Sequence, residues 1–238
     1  MLHQLNLSKI LFLDIETVPA VSDYQLLDEE WKSLWDAKTK WQRGDESPED
    51  YYPKRAGILA EFGKVVCISL GYFSDLPSSQ KFTITSFFGL DEKKILYDFK
   101  AFMDSYFHKP GVLLCAHNGK EFDFPYLSRR LLVNRLVLPK PLDTPGLKPW
   151  EISHLDTMEL WKFGDRKNFT SLSLLTKLLD IPSPKDNMDG SQVKDIFYIE
   201  KDCQRIANYC QKDTLAVAQL LLRYINQPLI HEGEVVIN

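Results

Sequence analysis

The segment Lys9–Glu16, KILFLDIE, constrains this chain more than any other. Its apolar residues fall on both alternating faces, the pattern of a central strand covered on each side. A strand of that kind needs helices over both faces of a sheet, and so predicts an α/β fold. It also ends in two acids, Asp14 and Glu16. Side chains at i and i+2 of a strand share a face. The two carboxylates therefore point the same way beside an apolar strand, and they repel each other unless something neutralises them. A divalent cation does this well, because hard cations such as Mg²⁺ take oxygen ligands. Two solvated acids at a strand end are the alternative reading.

The rest of the chain supplies the expected partners. Ser22–Arg43 carries Leu27, Trp31, Leu34, Trp35 and Lys38 at helical spacing, with Ser22 or Asp23 as the cap. Gly44–Pro53 is acidic and turn-rich and reads as a loop. Together they make an aromatic and acidic insertion at about residues 20–55, with Trp31, Trp35 and Trp41 close to one helical face. Such a stripe is either packed core or a surface for a partner. Lys64–Phe73 and Lys81–Phe88 read as two strands joined by a loop around Pro77, Asp91–Phe107 as an amphipathic helix and Gly111–Ala116 as a short strand. Pro125–Asn134 reads as a helix, Pro139–Pro149 as a loop and Trp150–Leu155 as a short strand. Helices follow near Asp156–Trp161, Ser171–Asp180, Val193–Tyr198 and Asp202–Tyr224. The expected architecture is one α/β domain over residues 1–238, with a central mixed sheet of about five strands flanked by helices.

Composition excludes several classes. The net charge of −4 argues against a protein that coats nucleic acid through bulk basicity, and against a basic membrane-surface module. Apolar runs such as Val65–Leu70 are far shorter than the ~20 residues a membrane span needs. The first 13 residues lack a basic head and a small-residue cleavage site. Cys67, Cys115, Cys203 and Cys210 form no CxxC pair. They read as reduced packing residues of a cytoplasmic chain. The charge is uneven: residues 109–177 hold 11 basic and 7 acidic groups. That middle third includes Lys120, Arg129, Arg130, Arg135, Lys148, Lys162, Arg166 and Lys167, and is the expected phosphate-contacting region.

Two further features carry polar groups to places where chemistry occurs. Ala116–Tyr126, AHNGKEFDFPY, follows a buried strand and opens a helix. Loops at strand ends in α/β sheets are the usual location of ligand sites. On local grounds Asp123 there is equally a helix cap. Tyr209 and Asp213, four residues apart in the last helix, share a face near the apolar stripe of Ile206, Leu215, Ala218 and Leu222. A carboxylate beside such a stripe needs a partner or a metal; read alone, the two are a surface pair.

Taken together, the three features resemble the DEDD exonuclease superfamily, which has the ribonuclease H-like fold. Phe12-Leu13-Asp14-Ile15-Glu16-Thr17 is similar to its first motif, Asn118…Phe122-Asp123 to its second, and Tyr209-x-x-x-Asp213 to its third in the tyrosine form. The histidine form would place His where Asn208 stands. Tyr51–Ser69, His154–Trp161 and Asp189–Tyr224 extend the resemblance to predicted 3′–5′ exonucleases related to the exonuclease domain of family-B DNA polymerases.

The resemblance implies that Asp14, Glu16, Asp123 and Asp213 hold two divalent ions, Mg²⁺ or Mn²⁺, and that Tyr209 orients the attacking water. It implies substrate contacts from Thr17, Asn118 and Phe122. The expected reaction releases nucleoside 5′-monophosphates from DNA 3′ ends, single-stranded ends above all, with RNA as the alternative polymer. No membrane is implied, and the resemblance names no protein partner. Asp156 fits none of the ligand positions and is expected to be structural or to support the ligands. Two other classes are weighed. A catalytically idle binding module on the same fold would lack one of the carboxylates. An aspartyl-phosphate phosphatase wants Asp where Glu16 stands, and leaves the second and third motifs unexplained.

Overall fold

A computed structural model describes residues 5–74, 81–106, 111–148, 150–165, 169–182 and 188–238. Its centre is a six-stranded mixed sheet. The strands are β1 (Ile10–Pro19), β2 (Gly63–Phe73), β3 (Phe82–Phe88), β4 (Leu113–Ala116), β5 (Leu155–Asp156) and β6 (Val235–Ile237), in the order β5-β4-β1-β2-β3-β6. β1 pairs antiparallel with β2 and parallel with β4, and β2 pairs antiparallel with β3. The outer pairs, β4 with β5 and β3 with β6, are parallel. The helices are α1 (Glu29–Thr39), α2 (Pro48–Arg55), α3 (Glu92–Tyr106), α4 (Asp123–Val133), α5 (Thr157–Lys162), α6 (Leu172–Leu178), α7 (Val193–Asp195) and α8 (Cys203–Tyr224). No helix among the described residues is long and apolar enough to cross a membrane.

β1 is the middle of the sheet, as its double-sided pattern predicts. Leu11, Leu13 and Ile15 face a core shared with Ile95, Phe99 and Met103 of α3 and Leu127 and Leu131 of α4. Ile10 and Phe12 face the other side, where Val217, Leu221 and Leu222 of α8 cover them. By the two-residue period, Asp14 and Glu16 belong to the α8 face. β1 also outruns its neighbour. Its pairing with β4 stops at Phe12–Cys115, so the acidic end has β2 on one side and the loop after β4 on the other. A register shift between Glu16 and Thr17 marks a bulge directly after the acid pair. Bulges are over-represented next to active sites, where they re-aim side chains.

Several expectations are corrected. The mixed sheet of about five strands is present with six; the extra β6 has only three residues, below the usual five or six that make a strand visible in sequence. The helix expected over Ser22–Arg43 is a 3-10 turn at Tyr24–Leu26 capped by Asp23, followed by α1 capped by Asp28. The loop expected over Gly44–Pro53 contains α2. Ser47 accepts from the Asp50 amide, Pro48 occupies the first turn, and Glu49 and Asp50 face the positive end of the helix dipole. The same Ser, Pro and Asp that suggest a turn are therefore helix-start chemistry. The strand expected over Trp150–Leu155 is two residues long, and Asp156 ends it while capping α5. The expected Pro77 loop lies outside the described residues.

The insertion makes its own small core of Leu27, Trp35, Tyr52, Ala56 and Phe62. Trp35 donates from Nε1 to the Pro48 carbonyl at 2.7 Å, and Tyr52 donates to the Val21 carbonyl at 3.0 Å. Trp35 is fully buried, whereas Trp41 lies past the end of α1 with 92% of its surface exposed. The three tryptophans therefore do not form one stripe.

Candidate active site

Three elements converge at the end of β1. Asp14 and Glu16 come from the strand itself. Tyr209, Cys210 and Asp213 come from two turns of α8, which packs on the same face. Cys210 donates from Sγ to the Asp14 carbonyl at 3.3 Å, fixing the helix against the strand. One ligand atom from each of Asp14, Glu16 and Cys210 fits within 4.8 Å of the others. Asp123 arrives from the opposite edge at the start of α4, and its carboxylate accepts a hydrogen bond from the Ile15 amide.

The turn that delivers Asp123 is built tightly. Asn118 takes a left-handed conformation (φ 62°), which Asn tolerates better than most residues. Gly119 follows; a Cβ there would collide with the Ala116 Cβ. Asp156 accepts from the amides of Asn118 (3.0 Å), Lys120 (3.1 Å), Met158 (2.9 Å) and Glu159 (3.2 Å). It is thus a strut between this turn and the cap of α5, and its negative charge also raises the neighbouring Asp123.

The electrostatics of the cluster are one-signed. Burial pushes the Asp14 carboxyl well above the ordinary carboxylate range, and the negative charges of Asp213, Glu16 and Asp123 push it further. Burial does the same to Glu16, with Asp213 the first charge acting on it. Burial raises Asp123 to about 7, and the Ile15 amide opposes the shift. Asp14 Oδ2 is buried and has no hydrogen-bond partner. A buried carboxylate oxygen without a donor, among like charges, calls for a cation. The donor set is all oxygen apart from Cys210, whose thiol burial keeps protonated, and oxygen donors suit Mg²⁺ or Mn²⁺.

Tyr209 donates to Asp213, and burial with the neighbouring negative charges raises its phenol far above the ordinary value. It stays protonated at neutral pH, so it can donate and orient but cannot act as a base. Of the residues expected to touch substrate, Thr17 is held by a hydrogen bond to the Tyr126 hydroxyl. Tyr126 in turn donates to the Gly57 carbonyl at 2.7 Å. A Cβ at Gly63 would collide with that hydroxyl. Phe122 packs on Tyr126 with ring centroids 5.3 Å apart. Asn118 Oδ1 is buried without a partner.

Part of the basic middle third is engaged within the chain, while Arg129 and Arg135 are exposed. Arg130 is buried: its Nε and Nη2 donate to Glu92 at 2.8 and 2.5 Å, and its Nη1 donates to the Ala60 carbonyl at 2.8 Å. Lys120 pairs with Glu159 at 3.0 Å. Lys148 lies over the Trp150 ring. Arg166 and Lys167 lie outside the described residues. Sequence reasoning also missed a groove of about 260 Å³ between α6 and α8, lined by Ser171, Ser173, Thr176, Tyr209, Lys212 and Asp213 among others. Residues 169–173 carry no motif; their one signal is that Ser171 precedes a helix.

Comparisons with known proteins agree with this arrangement. The family B DNA polymerase from the archaeon Pyrobaculum calidifontis shares the fold, with a TM-score of 0.51 at 16% identity over 90% of this chain. The chain spans 24% of that polymerase. A family model described as a predicted 3′–5′ exonuclease related to the exonuclease domain of PolB matches residues 58–229. Asp14 and Glu16 precede the matched residues, and the sheet brings them to Asp123, Tyr209 and Asp213, which lie within it. With an α/β sheet of the ribonuclease H-like kind and a match over most of its length, the chain belongs to this family of predicted 3′–5′ exonucleases related to the PolB exonuclease domain.

Proposed function

We propose that the chain hydrolyses the last phosphodiester of DNA 3′ ends, single-stranded ends in particular, and releases nucleoside 5′-monophosphates. The observation that carries this reading is the one-signed, buried cluster of Asp14, Glu16 and Asp123 facing Asp213, with an orphaned Asp14 oxygen at its centre. These four are the proposed ligands of two divalent cations, Mg²⁺ or Mn²⁺. Bound there, such cations polarise the scissile phosphate, lower the pKa of the attacking water and stabilise the leaving 3′ oxygen. Asp14, Glu16 and Asp213 would hold the ion that activates the water, and Asp123 would help hold the ion that serves the leaving group.

Tyr209 holds the attacking water by accepting a hydrogen bond from it, while its own hydrogen is donated to Asp213. The water oxygen bonds to phosphorus as the water releases a proton to solvent, the P–O3′ bond breaks, and the 3′ oxygen leaves with a proton from solvent. Asn118 Oδ1 is a free acceptor for a nucleotide donor. Phe122 offers a ring edge to the terminal base, and Thr17 offers its backbone and hydroxyl. The whole of residues 1–238 forms the nuclease unit in this reading. Its four free cysteines suit the reducing cytoplasm.

The test is a 5′-labelled single-stranded DNA incubated with Mg²⁺ or Mn²⁺. A ladder that shortens from the 3′ end, absent with EDTA and in Asp14→Ala, is expected. Tyr209→Phe is expected to slow it about 10- to 100-fold while metal affinity stays unchanged. No cleavage of DNA under either metal overturns the assignment, and cleavage of RNA alone moves it to the other polymer.

A further inference from the structure

The groove between α6 and α8 opens from the candidate active site, since Tyr209 and Asp213 form part of its wall. The remaining polar wall is mostly neutral: Ser171, Ser173, Thr176 and Gln219, with Lys212 as the cation. The chain as a whole is acidic, and Arg130 and Lys120 of the basic third are engaged internally. A polyanion running from the active site along this groove therefore meets little positive charge. Its affinity has to come from elsewhere, and base stacking on aromatic rings is the sequence-tolerant interaction that does not depend on charge.

Phe169 is an exposed ring next in sequence to this wall. It stands two residues before Ser171 of the groove wall, with 71% of its surface exposed. Its backbone is not loose. The Thr170 carbonyl accepts from His117 Nε2 at 2.9 Å, and His117 Nδ1 pairs with the Thr157 hydroxyl at 2.9 Å. Burial lowers the His117 pKa, which keeps the ring neutral and leaves the Nε2 hydrogen directed at that carbonyl. His117 begins the turn that carries Asn118 and Asp123, so the site and the Phe169 segment are tied to one another. Ser171 then caps α6 by accepting from the Leu174 amide. An aromatic ring held in the open on an anchored backbone loses little freedom when a base stacks on it.

We infer that Phe169 is a substrate-positioning residue, a stacking platform for a base of single-stranded DNA upstream of the scissile bond. The inference rests on the proposed exonuclease function. It predicts that Phe169→Ala weakens binding of a fluorescein-labelled oligothymidylate, measured by anisotropy in EDTA, by about 5- to 100-fold. KM for the same strand should rise by a similar factor with kcat little changed. Phe169→Trp should restore affinity, and its indole fluorescence should be quenched when the strand binds. Tyr97→Ala, an equally exposed ring on α3 across the sheet, should change neither binding nor KM.

Unchanged affinity and KM in Phe169→Ala, with the wild type active, overturn this inference alone. Equal loss in Tyr97→Ala does so too, because the effect would then be unspecific. A wild-type chain that neither binds nor cleaves the strand removes the exonuclease function, and this inference with it.

Discussion

Two buried charge clusters lie on opposite faces of the same sheet, and they are solved in opposite ways. On the α3/α4 face, Glu92 receives hydrogen bonds from Arg130, Asn134 and the Val65 amide, and Arg130 Nη1 donates to the Ala60 carbonyl. Each charge there is answered within the chain. On the α8 face, Asp14 and Glu16 face further carboxylates, and one Asp14 oxygen has no donor. The contrast shows how to tell a structural buried ion from a functional one. The first kind is balanced by its own neighbours. The second kind is left for something from solution to balance.

The comparison is broken most sharply by Asp14→Asn. Nuclease activity should fall on the order of 10⁴-fold, while the melting temperature of the metal-free protein stays level or rises, since one of several repelling charges is gone. A lower melting temperature would place Asp14 in the balanced class. The pH dependence follows with the same sign. Asp123 titrates near 7 in the folded chain against 3.8 unfolded, so the folded state holds extra protons between these values. Asp14 and Glu16 are raised in the same direction. The contribution of these groups to metal-free stability should therefore be full below about pH 4 and be lost as the pH rises toward 7. The decline should be shallower in Asp14→Asn and largely removed by Mg²⁺, which thermal melts across that range would register.

Arg130→Ala is the converse. It leaves Glu92 buried without its cation and should cost about 3–5 kcal/mol in urea unfolding. The residual activity per folded molecule should stay close to wild type. Asp156 sharpens the comparison from between the two classes: it is a buried carboxylate answered by backbone amides. Asp156→Ala should cost about 1–2 kcal/mol, as lost caps do. It should also raise KM by releasing the Asn118 turn, and a stability loss with unchanged KM would make the strut purely structural.

How much of this was readable before the fold was known follows from the same contrast. β1 was legible because a doubly apolar strand has few other interpretations, and the acids at its end stood out against it. Helical spacing put Tyr209 and Asp213 on one face, but only the resemblance to the third exonuclease motif separated them from a surface pair. Arg130 was not: a basic residue in a basic stretch looks solvated until Glu92, 38 residues earlier, is brought to it. Ser47-Pro48 was misread because turns and helix starts use the same residues. The groove beside α6 was invisible because hydroxyls carry no periodic signal; only the fold sets Ser171, Ser173 and Thr176 beside Tyr209.

The last strand has a consequence of its own. β6 lays Val235–Ile237 along Phe82–Ile84 of β3, and the Asn238 amide donates to the Ile84 carbonyl at 2.9 Å. A long strand whose backbone donors and acceptors are left unpaired is a template on which a second molecule can add. Here three residues occupy that position at the apolar end of β3, beside Phe82 and Ile84 of the core. β6 thus covers the Phe82–Ile84 part of the β3 edge, and removing it would leave those backbone groups open to pairing with another strand.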